Sequence, residues 1–325
     1  MPTMAARTIP TCTVTPRGDR RPGAALAAGL CAAALGSDTL GSVQLPSSYC
    51  GIAALKPTPG LISVRGVLPL SWRLDVVGPL ARSARDLAIL AAALTQYDPK
   101  DAASATPPSH MDWAAQGSSD IQGLVVGRLT NMDEIEVEPA VSAVFQDVLQ
   151  GLRDMGRDVT EVAMAGINFG EVVRYGITMT RADAGFIHAD DFENRRENLS
   201  PGLVENIAIG RGLSALDLVA AERAQAEILL AMRSALAMCD VIVLPTTPQV
   251  AFPLDQDAPD SQPAFTALAN MTGCPAVSVP MGLSPQGLPC AIQFMGAPRS
   301  DGQLLRLAHA FELHIGLDMR PSGYA

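Results

Sequence analysis

The sequence predicts an α/β protein in which a mixed central β-sheet is covered by α-helices. Three observations carry that prediction. Short apolar runs that read as buried strands alternate with helical stretches along most of the chain. Hydrophobic residues make up 48% of the 325 positions but aromatics only 4%, so Ala, Val, Leu and Gly must fill the core. Small side chains let layers approach closely, which suits stacked helices and sheet. Finally, Ser83 and Ser214 each stand three positions ahead of an Asp at the head of an apolar run, the pattern of a capped helix start.

In chain order, residues 1–22 read as an irregular segment, with four prolines and no hydrophobic period. Residues 23–325 read as one domain. Residues 23–34 predict a tightly packed helix, and the Gly/Ser/Thr-rich stretch 36–51 (GSDTLGSVQLPSSYCG) a constrained loop. Short strands and turns follow over 52–82, then a helix over 83–95. The polar stretch 97–120 predicts a surface excursion. A strand is expected at 123–129 and a helix from Pro139, with Val141, Val144, Phe145, Val148, Leu149 and Leu152 on one face. Residues 165–212 read only as helices and loops. Beyond them come a long helix over 214–238, a strand over 240–245, a helix near 263–271, strands at 276–280 and 290–295, and a last helix over 301–315.

Composition excludes some functions. A net charge of −10 argues against general nucleic-acid binding, which needs clustered Lys and Arg. The six cysteines are scattered, with no C-x-x-C pair and no His at metal-ligand spacing, so they read as buried thiols of a reducing compartment, the cytoplasm, and no metal is expected. Arg20-Arg21 before the apolar run Ala24–Leu35 imitates a signal peptide but lacks a clear cleavage site. No apolar run reaches the ~18 residues that cross a bilayer.

Chemistry concentrates around Ser42, in Gly36-Ser37-Asp38-Thr39-Leu40-Gly41-Ser42. A serine that performs acyl transfer needs a sharp turn to expose its oxygen, backbone N–H groups converging on the developing oxyanion, and a base for its proton. A loop of small residues supplies the first two, although such a loop is commonly no more than a loop.

The surrounding pieces resemble the amidase-signature family, whose pattern runs G-[ST]-D-x-G-G-S-[IV]-R-x-P-A, C-G, L-K-P-T, G-[VL]-x-P and D-x-x-G-P-[ML]-[AT]-R. Matching elements are Gly36-Ser37-Asp38, Gly41-Ser42-Val43, Pro46, Cys50-Gly51, Leu55-Lys56-Pro57-Thr58, Gly66-Val67-Leu68-Pro69 and Asp75 through Arg82. Leu244-Pro245-Thr246-Thr247-Pro248, Thr272-Gly273-Cys274-Pro275-Ala276, Gly287-Leu288-Pro289 and Gln293 extend the similarity over roughly residues 23–315.

That resemblance implies a Ser–cis-Ser–Lys unit with Ser42 as nucleophile and the backbone N–H groups of Thr39, Leu40, Gly41 and Ser42 as oxyanion hole, with no cofactor. It also implies an amidase-signature fold lacking its N-terminal part. Counting back from Ser42, the bridging serine falls on Gly18, in a segment without serine, and the lysine is expected further upstream than this chain reaches. The sequence holds only Lys56, in the structural L-K-P-T element, and Lys100, in the polar excursion. None of His110, His188, His309 and His314 sits in a recognisable Ser/His/Asp arrangement. Leu40 stands where the pattern has glycine; at φ > 0 it would cost about 1–2 kcal/mol. Gln44 stands where the pattern has arginine, removing one charge and its fork of donors.

Other residues carry plainer readings. Asp75 and Arg82 read as a turn-stabilising pair. Asp190, Asp191, Glu193, Arg195 and Arg196 read as a solvated helix face. Tyr175, Ile177 and Met179 read as core, in a region where acyl pockets form in the family. Ser71 and Trp72 receive no role.

Three functions remain open. The first is an amide-bond (carbon–nitrogen) hydrolase impaired or inactive for want of its lysine and second serine, acting on a small-molecule amide. The second is a non-catalytic partner, or pseudoenzyme, binding an active paralogue or a carboxamide ligand; apolar surface left by an incomplete fold would also favour a homo-oligomer. The third is an amidotransferase A-subunit-like protein moving ammonia to a misacylated tRNA.

Overall fold

The computed structural model describes residues 20–107, 113, 121, 123–253, 255–317 and 319. The expectations for residues 1–19, for Cys12 and Gly18, and for half of the excursion including His110 lie outside them.

Eight strands form one mixed sheet: β1 (Ala34–Asp38), β2 (Ala53–Lys56), β3 (Val76–Ala81), β4 (Val125–Leu129), β5 (Asp158–Val162), β6 (Val241–Pro245), β7 (Ala276–Leu283) and β8 (Pro289–Gly296). Their order is β1-β3-β2-β7-β8-β6-β4-β5. The pairs β4–β5 and β4–β6 are parallel and the rest antiparallel. Ten α-helices accompany them among the described residues: α1 (Arg20–Ala27), α2 (Gln44–Cys50), α3 (Ala84–Leu94), α4 (Pro139–Asp154), α5 (Phe169–Ile187), α6 (Ala189–Asn194), α7 (Pro201–Gly212), α8 (Ala215–Leu236), α9 (Ala267–Thr272) and α10 (Asp301–Ile315).

Register decides what the sheet offers on each side, because side chains alternate along a strand while directly opposite residues share a face. Ala54 faces Ser278, and Ser278 faces Gln293, which in turn faces Leu244. Asp38 lies in step on β1, two positions beyond the pair Gly36–Gly78. One face therefore carries Asp38, Ser278 and Gln293 among Gly36, Gly78, Ala54, Leu80 and Leu244, and α2 packs on it. The opposite face carries Val277 and Phe294, paired across β7 and β8. On that side Phe294 meets Phe311 of α10 edge-on, with ring centroids 5.5 Å apart. The sheet thus has one greasy face for structure and one partly polar face for a site.

Helix starts follow their caps. Ser83 accepts the Asp86 N–H at 3.1 Å, and Ser214 and Asp217 form a reciprocal capping box. The α4 face is buried at Val141, Phe145, Val148, Leu149 and Leu152, whereas Val144 is only partly covered. Residues 165–212, ambiguous in sequence, become α5, α6, α7 and a short 3₁₀ turn at Arg196–Asn198.

Two expectations need correction. The helix predicted over 23–34 starts earlier, at Arg20, because Pro22 is tolerated in a first turn. It ends at Ala27: Gly29 turns back at φ 71°, and the chain from Ala34 pairs with β3 as a strand. The loop predicted over 36–51 is mostly regular, since it supplies the end of β1, a tight turn and all of α2. Alanine and glycine carry too weak a strand preference to announce β1; pairing with β3 overrides it.

Candidate active site

Ser42 lies in the turn that joins β1 to α2, and it is half-buried. Asp38, the last residue of β1, shapes that turn. Its side chain is fully buried and its carboxylate accepts three backbone N–H bonds: from Gly41 at 2.7 Å, Val43 at 2.9 Å and Gln44 at 3.4 Å. Charge-assisted bonds from backbone N–H are among the stronger protein hydrogen bonds. The carboxylate therefore wraps residues 39–44 around itself, with Ser42 half-buried in the turn.

A second set of contacts bolts the turn from α9 and the residues before it. Thr266 donates its hydroxyl to the Leu40 carbonyl at 2.9 Å, and Asn270 donates to the carbonyls of Asp38 and Leu74 at 3.2 and 3.3 Å. Gly41 sits at φ 126°, where an added Cβ would strike the Thr266 hydroxyl and stand 2.7 Å from its Cβ. Glycine is needed here for conformation and for space.

Leu40 escapes the strain that its place in the pattern suggested. Arg299 is the one non-glycine residue with positive φ among the described residues, so Leu40 has an ordinary backbone. Its side chain lodges against Gly176 of α5 and neighbours Met271. The four-amide cradle also shrinks. The Gly41 N–H, expected in an oxyanion hole, donates to Asp38 instead.

Asp75 supports the turn from the other side. It accepts the Thr39 hydroxyl at 2.6 Å and the N–H groups of Leu70 and Ser71 at 2.8 and 2.9 Å. Burial pushes its carboxyl above the usual range, against the pull of those donors. Arg82 is not its partner, as the sequence had suggested: the guanidinium donates to the Cys31 carbonyl at 2.9 Å. Ser71, given no role, is buried and donates to Asp183 at 2.6 Å, and Asp183 also holds Arg73 at 3.1 Å. Trp72 is exposed and packs edge-on against Phe186, 5.7 Å between ring centroids. Met179 is core, while Tyr175 and Ile177 are half-buried on the same helix. Arg195 bonds Asp190 and Asp191 on an exposed face, as expected.

Among the described residues, no lysine or histidine side chain is hydrogen-bonded to the Ser42 hydroxyl. Lys56 is fully buried and donates to the Pro57 carbonyl at 3.0 Å. Burial lowers its affinity for the proton, opposed by the neighbouring Asp38, Cys274 and Asp301. Lys100 is exposed. His188 is buried and bonds the Pro69 carbonyl at 2.8 Å. Among the described residues no cluster of His, Cys, Asp or Glu is arranged to hold a metal.

The amidase family profile matches residues 22–305. The chain belongs to the amidase family. The A-type component of the glutamyl-tRNA(Gln) amidotransferase of Thermosynechococcus vestitus is 30% identical over 316 residues, which cover 89% of this chain and 65% of the relative. The chain thus spans about two-thirds of the length of such relatives. Among solved structures, a chain from a vestigial protein complex tied to the origins of an s-triazine catabolic enzyme superposes with a TM-score of 0.82 at 27% identity, covering 91% of this chain and 65% of that one. The A-type component of the same amidotransferase from Thermotoga maritima gives 0.72 at 29% identity, over 90% and 64%. The mixed α/β sheet is the fold of this family.

In this amidase-family chain the turn expected around Ser42 is present, and the sequence did not point to what holds it. Asp38 had a local signal, since an Asp ahead of a small-residue turn takes nearby backbone N–H groups. Thr266 has none: it acts from 226 positions away.

Proposed function

We propose that Ser42 is the nucleophile of an acyl-transfer reaction at an amide C–N bond. Its oxygen adds to the amide carbonyl as its hydroxyl proton passes through solvent to the amide nitrogen, the amides of Thr39, Leu40 and Ser42 receive the oxyanion, and the C–N bond breaks as the protonated nitrogen leaves. Water then releases the acyl group as a carboxylate. One observation carries this reading: a buried carboxylate, Asp38, ties the N–H groups on both sides of Ser42 while the serine itself stays half-exposed at the turn. Family membership supports it.

We propose further that the residues of this chain alone drive the reaction slowly. Lys56 is engaged with a carbonyl and is sealed from solvent, and a serine hydroxyl without a base stays protonated near neutral pH. In serine-based sites, losing one member of the catalytic unit leaves a rate on the order of 10³- to 10⁴-fold over water. A small-molecule amide is the proposed substrate. The buried free thiols of Cys50, Cys239, Cys274 and Cys290 support a reducing, cytoplasmic setting.

The test is a fluorophosphonate probe with the purified chain, read by mass spectrometry, together with ammonia release from benzamide. Slow labelling at Ser42 that vanishes in Ser42→Ala, with feeble ammonia release, is the expected result. Brisk ammonia release would defeat the proposed slowness. A folded chain that never labels would favour a binding partner without catalysis. A second reading, a component of an amidotransferase complex, is favoured by the curated relatives named above; with a net charge of −10, a tRNA-facing surface would have to come from other members of that complex.

A further inference from the structure

Behind the Ser42 turn, α2 presses a polar seam onto the sheet. Ser47 is fully buried, and its hydroxyl lies 2.7 Å from the Gln44 carbonyl and 3.1 Å from the Ser278 hydroxyl. Ser278 in turn lies 2.9 Å from the Thr246 hydroxyl. Since Ser278 stands directly opposite Gln293, the Gln293 side chain projects to this same side, where it donates to the Phe265 carbonyl at 3.0 Å. Gln44 is one helical turn before Ser47, so it shares the α2 face that looks onto Ser278.

The two glutamines meet this seam with unmet needs. Gln44 is fully buried, and among the described residues neither its side-chain N–H₂ nor its oxygen has a partner. The Gln293 oxygen, also fully buried, has none. A buried amide left without partners costs about 1–3 kcal/mol per group, so native proteins rarely keep two of them around one such seam. A molecule of solvent size with both donors and acceptors answers all three atoms at once.

We infer that a buried polar chamber walled by Gln44, Ser47, Ser278 and Gln293 holds a water molecule, and that Gln44 acts through it as a positioning residue for Ser42. The route is short. The Gln44 backbone N–H shares the Asp38 carboxylate with Gly41 and Val43, and Gln293 holds Phe265, the neighbour of the Thr266 that grips Leu40. Both glutamines therefore connect to the turn through hydrogen bonds. The positioning half rests on Ser42 being the nucleophile; the chamber does not.

A crystal structure of the Ser42→Ala protein tests the chamber. An ordered oxygen within hydrogen-bonding distance of the Gln44 amide and Gln293 Oε1 is expected; a direct Gln44–Gln293 bond, or no density there, overturns it. Gln44→Met should lower Tm, because a satisfied amide is lost; a higher Tm would show that the amide had no partner. For positioning, Gln44→Met should slow fluorophosphonate labelling of Ser42 at least tenfold, well below the melting transition of either protein. Gln44→Glu should restore labelling at low pH, where a protonated carboxyl donates and accepts as the amide does, and lose it once that carboxyl ionises. Equal labelling rates in all three proteins would refute the positioning role. If Ser42 labels in none of them, the proposed function fails, and the chamber still stands or falls on the crystal structure and the Tm of Gln44→Met.

Discussion

At the scale of single residues, the site depends on a few atoms that the sequence pattern names only in part. Gly41 is the sharpest case. It combines φ 126° with a Cβ position that the Thr266 side chain already occupies. Gly41→Ala adds left-handed strain of about 1–2 kcal/mol to a steric conflict with Thr266, so destabilisation on the order of 2–4 kcal/mol is expected. Urea unfolding measures it, and Ser42 labelling should fall with it. The double change Gly41→Ala with Thr266→Ala removes the conflict with the hydroxyl but leaves the 2.7 Å approach to the Cβ at position 266 and the backbone strain, so it should recover stability only in part. Full recovery would mean that conformation is not the reason for glycine. Leu40 teaches the converse lesson. Its place in the pattern suggested strain, yet its backbone is ordinary, because one glycine suffices to turn the chain before Ser42.

At the scale of elements, the caps and the apolar runs of β4, β6, β7 and β8 were legible, and β1 was not. Ser83 and Ser214 announced α3 and α8, and α10 begins and ends where its pattern does. The strand β1 (ALGSD) carries no β-branched or aromatic residue, and only its pairing with β3 makes it a strand. The α3 cap also contains a partner that no local reading offers. Glu312 of α10 accepts the Ala84 N–H through both carboxylate oxygens, at 3.0 and 2.9 Å. Burial pushes its carboxyl from 4.5 up to about 7; the Ala84 N–H pulls it down, and Asp86 adds to the rise. Between those two values the folded chain keeps a proton that the unfolded chain has released. Stability from this group is therefore fully present below 4.5, declines as pH rises through about 7, and is then lost. The expected loss is on the order of 2–3 kcal/mol. Comparing urea unfolding at about pH 5 and about pH 8, Glu312→Gln should flatten the pH dependence relative to the parent while keeping the cap. An unchanged slope would place the titration elsewhere.

At the scale of the whole molecule, the sheet order is the part no local reading reaches. β1 lies at the edge beyond β3, and β2 pairs with β7, so neighbours in space come from opposite ends of the chain. Such pairings are set by burial summed over the whole fold, not by any window of residues. The same topology spreads the buried cysteines widely: Cys50 ends α2, Cys239 precedes β6, Cys274 precedes β7 and Cys290 lies in β8. Burial pushes the Cys239 thiol up to about 11 and the Cys290 thiol up to about 12. In a Cys12→Ser, Cys31→Ser background, which removes the half-exposed Cys31 and the cysteine outside the described residues, a disulfide exchange reagent should find no reactive thiol in the native protein. Because the thiolate is the attacking species, reaction must await exposure. If the sheet opens as one unit, all four thiols should then appear at a single rate equal to that of global unfolding. Were Cys50 to react ahead of the other three, the β1–α2 end carrying Ser42 would be opening by itself, and the Asp38 clamp would be weaker than its three backbone bonds imply.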